Sequence, residues 1–157
     1  MEREDVCYVR EVALEKAIEM EMESFDVYKK TYLMAKEPRA KDLLRDLALD
    51  ELRHKYVLEK AFFEETVLLH ESDYKQGPSM NLSLLLDDKT LDENSSEQDV
   101  MVHAIHEEKR AKDFYKGMAD QCGRAPMEEM FKTLYKDEEG HLARLEELYE
   151  SLYMQEM

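Results

Sequence analysis

The chain has 157 residues, with 38 Asp and Glu against 22 Lys and Arg, a formal net charge of −16. That balance argues against nucleic acid and anionic membranes as partners, and most of these carboxylates read as solvated helix faces. Hydrophobic residues make up 43%, with four Gly, three Pro and no Trp; this favours an all-α chain, long enough to form one domain over 1–157 with a substantial core.

The first residues, "MEREDVCYVREV", are charged and lack the apolar centre of a secretory signal. No apolar run approaches the length of a membrane span. Cys7 and Cys122 lie far apart without a Cys-x-x-Cys pattern, which suits a reducing, cytoplasmic setting and no cysteine-held iron or zinc. Helical periodicity then covers four segments. The first runs over about 6–36 and stops at "KEPRAK", because the residue before Pro38 disfavours helix. The second covers about 40–66. A long segment follows, about 67–95, with "KQGPS" and "DDKTLDENSS"; its "NLSLLLDD" at 81–88 packs across the other helices, helical or not. The third starts at "SEQD", a capping box with Asp in place of Glu, and spans 96–121. "CGRAP" breaks it, and the fourth covers 127–153. Two tight connections and one long one imply two antiparallel helix hairpins, about 6–66 and 96–153, joined by a crossover into a four-helix bundle.

The hairpins repeat. Aligned at an offset of 87, residues 13–66 and 100–153 share 12 identities in 54 pairs. The charged and aromatic positions coincide: Glu21/Glu108, Tyr28/Tyr115, Asp50/Asp137, Glu51/Glu138 and His54/His141. "DELRH" and "DEEGH" each place a Glu and a His three residues apart, on one helical face. Each of the four helices carries a Glu inside its apolar stripe. Leu47, Glu51, His54 and Leu58 share one stripe; Leu134, Glu138, His141 and Leu145 share its counterpart. Glu21 lies between Ala17 and Tyr28, and Glu108 between Ala104 and Tyr115.

Four carboxylates in an apolar interior repel one another and largely protonate unless cations neutralise them. Four Glu and two neutral His balance two divalent ions. A Glu from each of two helices with Glu-x-x-His from each of the others is the ligand pattern of ferritin-like dinuclear carboxylate proteins. On that pattern Glu51 and Glu138 bridge the metals. Glu21 with His54 and Glu108 with His141 complete the two sets, with the assignment of each His to a metal left open. Oxygen-rich ligation with one imidazole per metal suits iron or manganese, with zinc as a substitute. Asp50 and Asp137, four residues before Glu-x-x-His histidines, are candidates to accept the second ring N–H of the His in the opposite half, or else are exposed helix residues. Tyr28 and Tyr115 either bond a ligand carboxylate across the bundle, act in redox chemistry, or fill the core.

"AIEMEMESFDVY" and "AIHEEKRAKDFY", with "LLRDLALDELRH" and "FKTLYKDEEGH", resemble the helices of the rubrerythrin branch of the ferritin-like superfamily. The resemblance covers both hairpins. It implies a non-haem protein with two iron ions, joined by an oxo or hydroxo bridge when oxidised, often a homodimer, that handles peroxide or dioxygen. Its ligands carry over onto Glu21, Glu51, His54, Glu108, Glu138 and His141. There are two departures. No rubredoxin-like domain with paired Cys-x-x-Cys is present, so electrons are expected from a separate donor protein. The family's extra Glu, three residues before the third-helix ligand, is Ile105 here. The remaining six-ligand set is the symmetric type of bacterioferritin-like and oxidase centres. The expected function is therefore peroxide or dioxygen reduction, with ferroxidase or iron storage without substrate turnover as the alternative.

Overall fold

The computed structural model describes residues 10–64, 79–121 and 127–154, and its described residues form five helices and no strand. These are α1 (Arg10–Met34), α2 (Pro38–Ala61), α3 (Leu82–Leu85), α4 (Glu97–Gln121) and α5 (Met127–Tyr153). α1 packs chiefly on α2 and α4 on α5; α1 also meets α4, and α2 meets α5. The fold is an all-α ferritin-like bundle of two helix pairs. Cys7, Cys122, most of "KQGPS" and the "CGRAP" connection lie outside the described residues. No described helix is long and apolar enough to cross a membrane.

Local chemistry sets the boundaries. α1 ends at Met34 and α2 begins at Pro38, two residues from each expected limit. Glu37 is extended (φ −69°, ψ 127°), as its following proline requires. Its carboxylate accepts the Ala40 N–H at 3.0 Å, and Pro38 occupies the first turn, where no N–H is needed. α2 stops at Ala61, short of the expected 66. At the start of α4, Ser96 Oγ accepts the Asp99 N–H at 3.1 Å and Asp99 Oδ2 accepts the Ser96 N–H at 3.2 Å. This is the reciprocal capping box written in "SEQD". The Glu97 carboxylate accepts the N–H groups of Lys36 and Glu37, tying that helix end to the α1–α2 turn.

Part of the crossover does become helical. α3 forms inside "NLSLLLDD" after Asn81, which takes a left-handed conformation (φ 54°) that Asn tolerates better than most residues. A buried carboxylate on α5 holds this segment: Glu146 accepts Ser79 Oγ at 2.9 Å, the Met80 N–H at 3.2 Å and the Leu82 N–H at 3.0 Å.

The core is split in two. One apolar cluster includes Tyr28, Leu44, Leu47, Met101, Ile105, Leu142 and Leu145. The other includes Leu14, Ala17, Leu58, Tyr115, Phe131 and Leu134. Along every long helix, the residues between these clusters are polar and buried: Glu21 on α1, Glu51 and His54 on α2, Glu108 on α4, Glu138 and His141 on α5.

Replacing Glu146 by Ala leaves two backbone N–H groups without their acceptor. Each such loss costs about 1–3 kcal/mol. We expect urea denaturation to show a stability loss of about 2–4 kcal/mol for Glu146→Ala, with faster amide exchange at Met80 and Leu82.

Candidate metal centre

All six inward Glu and His side chains are essentially inaccessible to solvent. They meet in one polar layer. Ligand atoms from Glu21, Glu51, His54 and Glu138 all lie within 4.8 Å of one another, as do those from Glu51, Glu108, Glu138 and His141. Glu51 and Glu138 belong to both sets. The two imidazoles face each other nearly parallel, with ring centres 6.1 Å apart and planes 16° from coplanar.

The flanking residues repeat the two-fold pattern. His54 Nε2 lies 2.7 Å from Asp137 Oδ2, and His141 Nε2 lies 2.6 Å from Asp50 Oδ2. Each aspartate therefore serves the imidazole of the opposite helix pair. An ionised carboxylate only accepts, so these bonds put a proton on each Nε2 and turn each Nδ1 towards the glutamates. His54 Nδ1 is 3.4 Å from both Glu21 and Glu138; His141 Nδ1 is 2.9 Å from Glu51 and 3.5 Å from Glu108. The tyrosines cross in the same way. Tyr115 Oη donates to Glu21 Oε1 at 2.6 Å, and Tyr28 Oη donates to Glu108 Oε2.

These partners satisfy only the outer side of the layer. Both oxygens of Glu51 and of Glu138, one oxygen each of Glu21 and Glu108, and His54 Nδ1 are buried without a hydrogen bond. Buried polar atoms normally have partners. Seven such atoms within one layer, all lone-pair donors in their ionised or neutral forms, fit a pair of cations. Oxygen donors with one nitrogen per set match the preferences of iron and manganese.

Charge states without a cation show the same tension. Burial pushes the Glu51 and Glu108 carboxyls well above the usual range, and the charge of Glu138 adds to it. Burial would push Glu138 up too, but the neighbouring Glu108 carboxyl and the charge of His141 outweigh it and hold Glu138 low. Burial also opposes imidazolium formation. The charges of Glu21 and of Glu108 nonetheless lead the effects that raise His54 and His141. Burial, then the carboxylates, pushes both tyrosines up, so they remain phenolic donors. Burial of Asp50 is overcome by His141 and Arg53, which bring it down to about 2.

Two groups near the layer escape a reading based on apolar stripes. Arg53, inside "DELRH" itself, bonds Asp50 Oδ1 at 2.8–2.9 Å and reaches Asp137 Oδ2 at 3.5 Å. Its counterpart in "DEEGH" is Gly140. Glu107 is buried beside Glu108, accepts Ser24 Oγ at 3.1 Å and pairs with Arg110. The i, i+3 spacing of Glu107 and Arg110 was its visible sign. Ile105, the position at which the sequence departs from the pattern it resembles, is fully buried in an apolar cluster.

Comparison with protein-family models matched residues 12–149 to the family described as Rubrerythrin. Comparisons with curated proteins and with solved structures gave no match.

Two outcomes are expected. Asp137→Asn, which keeps the shape but weakens the acceptor for His54, lowers metal affinity about 10–100-fold in competition titrations with a chelator. Titrating the metal-free protein with Zn²⁺ in weak buffer releases protons, because a cation must displace those held on Glu51, Glu108 and the imidazoles. Affinity therefore falls as pH is lowered and rises as pH is raised.

Proposed function

The chain belongs to the rubrerythrin family, and from that premise we propose that it is a non-haem di-iron protein that reduces hydrogen peroxide or dioxygen with electrons from a separate donor. One observation carries the reading: seven buried lone-pair atoms from four helices converge without partners in a layer closed off by apolar clusters. A reduced iron pair supplies one electron per ion, which matches H₂O₂ + 2e⁻ + 2H⁺ → 2H₂O.

The protein's own residues then have distinct tasks. Glu21 and His54 would hold one ion and Glu108 and His141 the other, with Glu51 and Glu138 common to both. Carboxylates suit a centre whose charge changes, because each can bind through one oxygen or two. Asp137 and Asp50 fix the tautomers of His54 and His141 and stabilise positive charge on them. Tyr115 and Tyr28 hold Glu21 and Glu108 from the opposite helix pair, so each terminal carboxylate has one oxygen anchored. The apolar clusters on either side exclude water and strengthen every electrostatic interaction between them.

The test is to load two Fe²⁺ per chain without oxygen, add one equivalent of peroxide or, in a parallel run, of dioxygen, and follow near-ultraviolet absorbance by stopped flow. Rapid, stoichiometric oxidation that can be repeated after reduction supports the proposal; an inert centre rejects it. Uptake well beyond two irons per chain in air would instead mark iron storage. Metal analysis of protein from iron-replete cells should give about two ions per chain, with a sharp fall in Glu108→Ala.

A further inference from the structure

The two halves of the polar layer carry the same inward residues. A strict two-fold would therefore make the two ion positions equal. The chain departs from that symmetry beside the aspartates. Under the offset of 87, the counterpart of Arg53 on α2 is Gly140 on α5. A guanidinium stands on one side of the repeat and a residue without a side chain on the other.

Arg53 does not treat the two aspartates alike. Its Nε and Nη2 lie 2.9 and 2.8 Å from Asp50 Oδ1. Its Nη2 comes only within 3.5 Å of Asp137 Oδ2, beyond the usual range of a hydrogen bond. Asp50 is the carboxylate that serves His141, and Asp137 the one that serves His54. Asp50 thus divides its negative charge between a guanidinium and an imidazole. Solvent acts in the same direction. The side chain of Asp50 is 14% exposed and that of Asp137 is 1% exposed, so water competes for the first far more than for the second.

A carboxylate on the outer N–H of a ligating imidazole raises the basicity of the ring's other nitrogen. That gain shrinks as the carboxylate's charge is committed elsewhere. The layer's other asymmetric neighbour, Glu107, does not cancel the effect. Its charge is matched by Arg110, and its second oxygen accepts Ser24 Oγ. Arg53, by contrast, is matched by the very carboxylate that serves His141.

Taking the dinuclear centre above as given, we propose that Arg53 makes the two ion positions unequal: the position held by Glu21 and His54 fills first, and the position held by Glu108 and His141 binds its cation more weakly. Arg53 is then a positioning residue that acts on the metal through Asp50. Losing such an outer carboxylate altogether weakens metal binding about 10–100-fold. Asp50 is weakened rather than lost, so the lower end of that range, about tenfold, is the expected difference between the positions. Repulsion between the two cations sharpens the order, because the first ion disfavours the second.

The test titrates Zn²⁺ into metal-free protein labelled with ¹⁵N and follows the ring nitrogens of His54 and His141 by NMR, since zinc shifts the signal of the Nδ1 that binds it. At one equivalent, a tenfold ratio should convert the His54 signal at least about three times as far as the His141 signal. At two equivalents both should be converted. Arg53→Gln removes the charge and should bring the two rings within about twofold of each other. Arg53→Lys keeps the charge and should keep the order, which separates electrostatics from packing. Conversion of both rings at two equivalents shows that each variant is folded with its layer intact. Equal filling in the unaltered protein, filling of His141 first, or an order that survives Arg53→Gln would overturn the proposal and leave the metal centre standing. Zinc that reached neither imidazole would overturn both. Zinc has no redox chemistry, so the filling order is read independently of any reaction with peroxide.

Discussion

The bundle is organised around the repulsion among four buried carboxylates. Moving one unpaired carboxylate into a protein interior costs several kcal/mol even after relaxation. Four of them together would exceed the about 5–15 kcal/mol by which a domain is normally stable. Protons can relieve part of this, and in the metal-free state they do so unevenly: Glu51 and Glu108 are pushed up while Glu138 is held low. Two divalent cations would relieve all of it and would give every inward lone pair a partner. The polar layer and the split core have one cause, since each apolar cluster ends where these charges begin.

The outer contacts make the inner geometry specific. Tyr28 and Tyr115 each cross to a glutamate of the other helix pair, and Asp50 and Asp137 each cross to the other pair's imidazole. Each hydrogen bond leaves one face of its acceptor or ring committed and aims the other inward. The rim of the layer is held by these hydrogen bonds, while Glu51 and Glu138 in the middle have none of their own.

Much of this was legible in the sequence because helices impose a fixed period. Glu and His three apart must share a face, so "DELRH" and "DEEGH" placed these side chains on inward faces before any coordinates, and the offset of 87 paired the halves. The capping box at "SEQD" was local in the same sense. Features that depend on a neighbouring helix were less visible. Nothing in the spacing of Glu146 announces that it holds Ser79, Met80 and Leu82; its aligned partner, Glu59, is an exposed surface residue. Arg53 lay inside the motif, but its reach to an aspartate 84 residues away exists only in the folded bundle. The end of α2 at Ala61 was misplaced because apolar residues continue through Phe62 and Phe63, while Phe63 in the structure points to solvent.

The exchange of contacts between the halves has a consequence for how such a protein can arise. Neither helix pair supplies both an imidazole and the aspartate that orients it, or both a terminal glutamate and the tyrosine that anchors it. An isolated pair would therefore be an incomplete half-site. Two copies of one pair, related by a two-fold axis, would reproduce every one of these crossings. The architecture is that of a symmetric dimer of hairpins carried in one polypeptide, and within one polypeptide the two halves can differ at positions such as Arg53 and Gly140 without losing the site they share.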